Sequence, residues 1–262
     1  MVLSLTLIGY GEAGRTFARA AGWEHQARVF DAKTDAPQTR AAMLADYDAD
    51  GVTLCENPGD AVDASGIILS LVTADQALVA AKNAAQHVAT GALFFDMNSV
   101  APDTKRQAAK LIDAAGGRYV DVAVMAPVDP ARLAVPLLLS GLFAEDGATA
   151  LAAIGFSNVH VVAGDVGRAS SIKMIRSIMV KGQEALTAEM MLAARTAGVV
   201  DEVLGSLGEG WREKADYNLE RMKTHGMRRA AEMEEVAKTL SALGIEPLMT
   251  NGTIIRQREM AA

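Results

Sequence analysis

The sequence predicts an α/β domain built on a doubly wound, mainly parallel sheet, followed by an all-helical domain. Two observations carry this reading. Over the first ~160 residues, short apolar runs alternate with stretches of helical periodicity, which is the pattern of strands joined by crossover helices. After Val162 the strand signals stop, and a helical pattern runs from Arg168 to Ala197 without a proline and with a single glycine, Gly182, inside it. The expected division is residues 1–163 for the α/β domain and 164–262 for the helical one, with the helix from Arg168 as connector.

Taken in order, the expected strands are Leu3–Gly9, Ala27–Asp31, Val52–Leu54, Gly66–Val72, Leu93–Met97, Tyr119–Met125, Val135–Ser140 and Val159–Val162. The run Gly66–Val72 is apolar nearly throughout, as befits a strand covered on both faces. Thr73-Ala74-Asp75-Gln76 reads as a capping box opening a helix, because threonine and glutamine side chains satisfy each other's orphan amides. Pro102 suits a first helical turn, where its missing N–H costs nothing. Beyond the connector, helices are expected over Val199–Ser206, Gly208–Lys223, Met227–Leu243 and Thr250–Met260, with glycines as separators.

Composition removes several classes of function. Half of the 262 residues are apolar and 22% are charged, so the chain has enough apolar mass for a packed core and is not disordered. The longest uncharged apolar stretch, Leu133 to Ala144, falls short of the ~20 residues a membrane-spanning helix requires. The first residues lack a basic segment and their apolar run breaks at Gly9, Gly11 and Glu12, so no signal peptide and a cytoplasmic location are expected. The single cysteine, Cys55, permits no internal disulfide, and the four histidines form no zinc-ligand pair, so no metal is expected. A net charge of −7 opposes nucleic-acid binding.

The most informative segment is Gly9-Tyr10-Gly11-Glu12-Ala13-Gly14, lying between a strand and a helical pattern. In that setting the first glycine permits a tight turn, the second admits a pyrophosphate to the backbone, and the third lets helix and strand pack closely. The helix N-terminus then presents free amides and a positive dipole end to the phosphates. The second strand ends in Asp31, where a carboxylate can accept both ribose hydroxyls, completing a Rossmann-type dinucleotide signature. Asp31 favours NAD over NADP because it repels a 2′-phosphate, while Lys33 and Arg40 nearby keep NADP possible. A methyltransferase using S-adenosylmethionine shares the glycine loop and the acidic strand end, and a non-catalytic nucleotide-binding protein would share them too.

With these pieces in place, the chain resembles the β-hydroxyacid dehydrogenase superfamily, which includes 3-hydroxyisobutyrate and 6-phosphogluconate dehydrogenases. The likeness rests on four blocks in the right order. They are the glycine loop, Phe95-Asp96-Met97-Asn98-Ser99-Val100-Ala101-Pro102, Asp121-Val122-Ala123-Val124-Met125-Ala126-Pro127, and Gly164-Asp165-Val166-Gly167 followed by Lys173. The run from His225 to Val236 is similar to a branch whose C-terminal domain is described as phosphogluconate-dehydrogenase-related. Two departures stand out. Met125-Ala126-Pro127 replace the family's paired glycines, and Arg176 and Ser177 replace the asparagines that follow its lysine.

The resemblance implies an NAD(P)-dependent oxidoreductase acting on a small hydroxy acid or its carbonyl form, and it implies a homodimer. An imine reductase shares the fold but has other residues at the lysine position. By the resemblance, Lys173 is the general acid and base, and burial beside Arg176 would lower its pKa. Leu71, Val72, Thr73, Asn98 and Ser99 stand at strand ends, where open α/β sheets bind ligands, and are expected to line the cofactor site with the glycine loop, Asp31 and Lys33. Expected substrate contacts are Asn98, Ser99, Met125, Ala126, Arg176, Ser177, His225 and Arg229, the guanidinium groups suiting a carboxylate.

Overall fold

The computed structural model describes residues 4–261. Leu3, the expected first residue of the first strand, and the outermost ends of the two expected domains lie outside those residues. The chain forms two compact units, Met1–Lys173 and Met174–Ala262.

Among its described residues the first unit holds eight strands, β1 (Leu5–Ile8), β2 (Ala27–Phe30), β3 (Thr53–Leu54), β4 (Ile67–Ser70), β5 (Leu93–Asp96), β6 (Arg118–Val124), β7 (Leu137–Ser140) and β8 (Val159–Val161). They form one sheet in the order β3-β2-β1-β4-β5-β6-β7-β8. Every pairing is parallel except β6 with β7, which is antiparallel. The helices between them are α1 (Glu12–Ala21), α2 (Pro37–Asp50), α3 (Pro58–Val62), α4 (Ala77–Ala84), α5 (Pro102–Ala114) and α6 (Ala144–Ala153).

Strand side chains alternate between two cores, as a period of two requires. Leu5, Leu7, Leu69, Phe95, Val120 and Val122 pack on one face with Phe17 of α1. Ile8, Ile68, Phe94 and Tyr119 pack on the other with Ile112 of α5. Both faces are covered, which explains the near-continuous apolar strands. The order of strands reverses direction between β1 and β4, so the crevice beyond their carboxyl ends is where such sheets take ligands.

Two local expectations meet different fates. Pro102 does open α5. The capping box at Thr73 does not form: a 3₁₀ turn over Ala74–Gln76 comes first, and the Gln76 amide turns to Asp75 at 2.9 Å, so α4 begins only at Ala77.

The second unit is helical. It contains most of α7 (Arg168–Ala197), with α8 (Val200–Leu207), α9 (Trp211–Ala242) and α10 (Leu248–Met260). Its main core joins Met174, Ala230, Met233, Val236, Leu240 and Ile254. Gly226, expected to separate two helices, lies inside the uninterrupted α9. It is there for close approach, since a Cβ would stand 2.3 Å from the Gln257 carbonyl oxygen of α10. The units divide after Lys173 rather than at residue 163, because the first turn of α7 is hydrogen-bonded to the sheet.

Candidate functional site

The glycine loop leaves β1 at Gly9, whose N–H donates to the Phe30 carbonyl at 2.8 Å and whose φ of 94° is one that favours glycine. A Cβ there would lie 2.6 Å from the Leu71 carbonyl oxygen, and one at Gly14 would lie 2.7 Å from that of Gly9. These two glycines let β1, α1 and the end of β4 pack together. Gly11 differs. No atom lies within 4 Å of the position its Cβ would take, and as the N-cap of α1 it supplies no side-chain cap. The first amides of α1 therefore open onto space that only a glycine keeps clear, which fits a dinucleotide pyrophosphate.

Asp31 closes the loop from β2. Its Oδ2 accepts the Tyr10 N–H at 2.7 Å and its Oδ1 accepts the Lys33 N–H at 2.9 Å. A carboxylate has about four acceptor positions, so two remain for ribose hydroxyls. Glu12 and Lys33 are exposed and Ala13 half-buried, whereas Tyr10 is buried with its hydroxyl donating to Asp50 at 3.1 Å. Burial first, and then Asp50, push the Tyr10 phenol above its ordinary range, so it stays a donor. Arg40 is held by the Thr34 carbonyl at 2.9 Å and by Glu56 at 3.2 Å.

Leu71 and Val72 continue from β4 half-buried, and Thr73 is exposed. The Val72 N–H donates to Oδ1 of buried Asn98 at 2.7 Å, and the Asn98 Nδ2 donates to Ser70 Oγ at 2.9 Å and to Asp96 Oδ1 at 2.8 Å. Both amide hydrogens of Asn98 are thus used inside the protein, and the side chain joins the ends of β4 and β5. Next to it Ser99 is half-buried, and its Oγ accepts a hydrogen bond from Lys173 Nζ at 2.5 Å. The structure brings together two residues, 74 apart in sequence, that the sequence could only nominate separately. Met125 and Ala126 follow β6, the first half-buried and the second exposed.

Residues 4–146 match the family model for the NAD binding domain of 6-phosphogluconate dehydrogenase. The chain belongs to that family. The first unit is therefore an NAD-binding domain, and its open glycine loop and acidic strand end fit the cofactor. Residues 194–260 match a domain of unknown function, DUF1932. Among solved structures, a conserved hypothetical protein from Sinorhizobium meliloti is 36% identical, with a TM-score of 0.77, over 98% of this chain and 88% of its own. A conserved protein of unknown function, reported to be structurally similar to 3-hydroxyacid dehydrogenases, is 31% identical with a TM-score of 0.73, covering 98% of this chain and 96% of its own. The 3-hydroxyisobutyrate dehydrogenase of Mycobacterium tuberculosis, solved with L-serine, shares the fold at 18% identity and a TM-score of 0.75, over 99% and 94% of the two chains.

The remaining expected residues of this family member lie in the helical unit. Arg176 is exposed, while Ser177 is buried and accepts from Lys181 Nζ at 3.3 Å. His225 lines a surface cavity of about 160 Å³ with Tyr217, Glu220, Arg221 and Thr224. Arg229, expected to bind a substrate carboxylate, is buried and forks onto Glu184, with its Nε donating to Oε2 at 2.8 Å. Its guanidinium already holds a carboxylate of the chain itself, and Gln257 donates to the same Glu184 oxygen at 2.9 Å. Among the described residues no cluster of histidine, cysteine or acidic side chains is suited to a metal, and no helix is long and apolar enough to cross a membrane.

Sequence reasoning missed a fully buried group of charges beneath this site. Lys105 on α5 reaches Asp96 Oδ1 at 3.0 Å and Asp121 Oδ1 at 3.5 Å. The Tyr119 hydroxyl donates to Asp96 Oδ2 at 2.6 Å. Burial, reinforced by Asp96 and Asp121, holds the Tyr119 phenol well above its usual pKa and keeps that proton in place. Asp121 also accepts from Ser140 Oγ at 3.0 Å, from the Gly167 and Ser170 N–H groups at 2.9 and 3.2 Å, and from Ser170 Oγ at 2.5 Å. A signal was present. Lys105 interrupts the apolar stripe Pro102–Ala108–Ala109–Ile112 of α5, and two aspartates punctuate otherwise apolar strands.

Proposed function

We propose that this protein is an NAD(P)-dependent dehydrogenase or reductase that interconverts a small hydroxy acid and its carbonyl form, with Lys173 carrying the proton. The observation that carries the reading is the Lys173–Ser99 contact, which sets an amine at the end of β5 in the same unit as the dinucleotide loop. The nicotinamide supplies the hydride acceptor or donor when bound. The chain's own residues do the rest. In the oxidative direction Lys173 Nζ, as the free amine, takes the hydroxyl proton of the alcohol. In the reductive direction the ammonium returns it to the carbonyl oxygen. Ser99 accepts from Nζ and keeps its own O–H to donate to the substrate oxygen. Relatives support the choice of hydroxy acid, through the likeness of one to 3-hydroxyacid dehydrogenases and the L-serine complex of another.

We also propose NAD(H) as the preferred cofactor. Asp31 ends β2 beside the glycine loop, where its carboxylate would repel a 2′-phosphate, and Arg40 already faces Glu56. A homodimer is the third element of the proposal. Ile175, Met179 and Leu186 are exposed and share one face of α7, an apolar stripe suited to a second copy of the chain.

The test is a thermal-shift comparison of NADH, NADPH and S-adenosylmethionine, followed by a nicotinamide-absorbance screen of 3-hydroxyisobutyrate, L-serine and other small hydroxy acids. Stabilisation by adenosylmethionine alone, or nicotinamide binding with no turnover across the screen, would overturn the dehydrogenase reading.

A further inference from the structure

The proposed chemistry uses Lys173 and Ser99 and leaves the buried charges beneath them without a role. Their connections form a closed ring. Ser99 adjoins Asn98, whose N–H and Nδ2 donate to Asp96 Oδ1 at 3.0 and 2.8 Å. Asp96 accepts from Lys105 Nζ through its side chain at 3.0 Å and its carbonyl at 2.5 Å. Lys105 faces Asp121 at 3.5 Å, and Asp121 binds Gly167, just before α7, and Ser170 in its first turn. Ser170 is three residues from Lys173 on that helix, and Lys173 returns to Ser99. The side chains of Lys105 and Asp121 are 0% exposed and that of Asp96 is 1% exposed.

Burying three charges costs more than apolar packing of the same volume, unless nearly every lone pair and proton finds a partner. Here they do. Asp121 takes four hydrogen bonds besides Lys105, two of them from amides at the N-terminus of α7, whose dipole favours a carboxylate. What such a network supplies is a fixed relation between the elements it joins, in this case the end of β5 and the start of α7. We propose that Lys105 and Asp121 are positioning residues that hold Lys173 against Ser99. The proposal rests on the reading of Lys173 as the proton carrier, but its test does not.

The test uses full-length protein and acetic anhydride at limiting concentration, with acetylation of Lys173 and of exposed Lys82 followed by mass spectrometry. Ser170→Ala removes one hydroxyl from the ring, Lys105→Met removes its cation, and Lys105→Met with Asp96→Asn restores the charge balance if the single variant does not fold. In folded variants Lys173 is expected to label about 5-fold faster or more, as the amine leaves Ser99 more often, while Lys82 labels at the wild-type rate. Affinity for NADH should be unchanged. On whichever of 3-hydroxyisobutyrate and L-serine turns over faster, kcat should fall roughly 10–100-fold with little change in KM for the dinucleotide. Wild-type labelling of Lys173 in folded Ser170→Ala and Lys105 variants would overturn the proposal. A parallel rise at Lys82 would also overturn it, since that reports general loosening. Full turnover by Lys173→Ala would instead sink the catalytic reading and leave the labelling result to judge the ring.

Discussion

Of the three loop glycines, only Gly11 can carry a side chain without disturbing the fold, and this makes it the cleanest probe of dinucleotide binding. Its φ of −82° is ordinary for an L-residue and its Cβ would meet nothing within 4 Å. Replacing glycine by valine at an N-cap costs on the order of 0.5–1 kcal/mol, well inside the ~5–15 kcal/mol stability of a domain. Binding should suffer far more. An isopropyl group over the uncapped amides of α1 removes one or two charge-assisted hydrogen bonds to the pyrophosphate, each worth about 1.5–3 kcal/mol, or roughly ten- to hundredfold in affinity. At an NADH concentration of 100 times the wild-type Kd, the wild type should gain about 2.7 kcal/mol, and a Gly11→Val variant weakened a hundredfold about 0.4 kcal/mol. Thermal shift with calorimetric titration of NADH measures both quantities. Gly9→Ala is the counter-control, because its Cβ would stand 2.6 Å from a backbone oxygen and φ is unfavourable, so the fold itself should fail. A folded Gly11→Val protein that binds NADH like the wild type would refute the reasoning, as would a Gly9→Ala protein of unchanged stability.

Lys173→Ala should lower kcat by ~10²–10⁴-fold with dinucleotide affinity intact, and Lys173→Arg should not recover it, because a guanidinium stays protonated and cannot act as a base. Gly226→Ala should destabilise by about 1–3 kcal/mol through the clash with Gln257, although alanine is the better helix former, while Gly205→Ala, with open space around it in α8, should stabilise by ~0.5–1 kcal/mol; urea melts check both signs. Partial desolvation raises the pKa of the exposed Asp113 carboxyl above its usual range, so folding favours its protonated form relative to the unfolded chain, and that small stability is full below the unfolded pKa and lost as pH rises through the folded one. Asp113→Asn keeps the acceptor for the Tyr119 N–H, so it should melt above the wild type near neutral pH and level with it in acid. Light scattering should find a dimer, and a single-chain mass at working concentration would remove the α7 stripe from consideration.

What the sequence revealed and what it hid follow from the range of the interactions involved. The strands were legible because burial on both faces leaves an apolar run, and the glycine loop because three glycines at fixed spacing have few other uses. Gly226 misled because a glycine required by a crossing helix looks the same in sequence as one that ends a helix. Arg229 looked available because its partner, Glu184, is 45 residues away on another helix. The ring below Lys173 depends on register. Only when β5 and β6 pair do Asp96 and Asp121 become neighbours, and only then does the lysine on the apolar stripe of α5 have a reason to be there.

The long helix α7 is one uninterrupted hydrogen-bonded rod shared by two compact units, its first residues belonging to the unit of the sheet and the remainder to the helical unit. Amide exchange along it should therefore not fray smoothly from the ends. When the helical unit opens, protection should be lost from Met174 onward, while the amides of Ala169 and Ser170, held by Ser140 and Asp121, exchange with the kinetics of the sheet. The border between two folding units would then appear as a step in protection factors inside a single helix, with no loop to mark it.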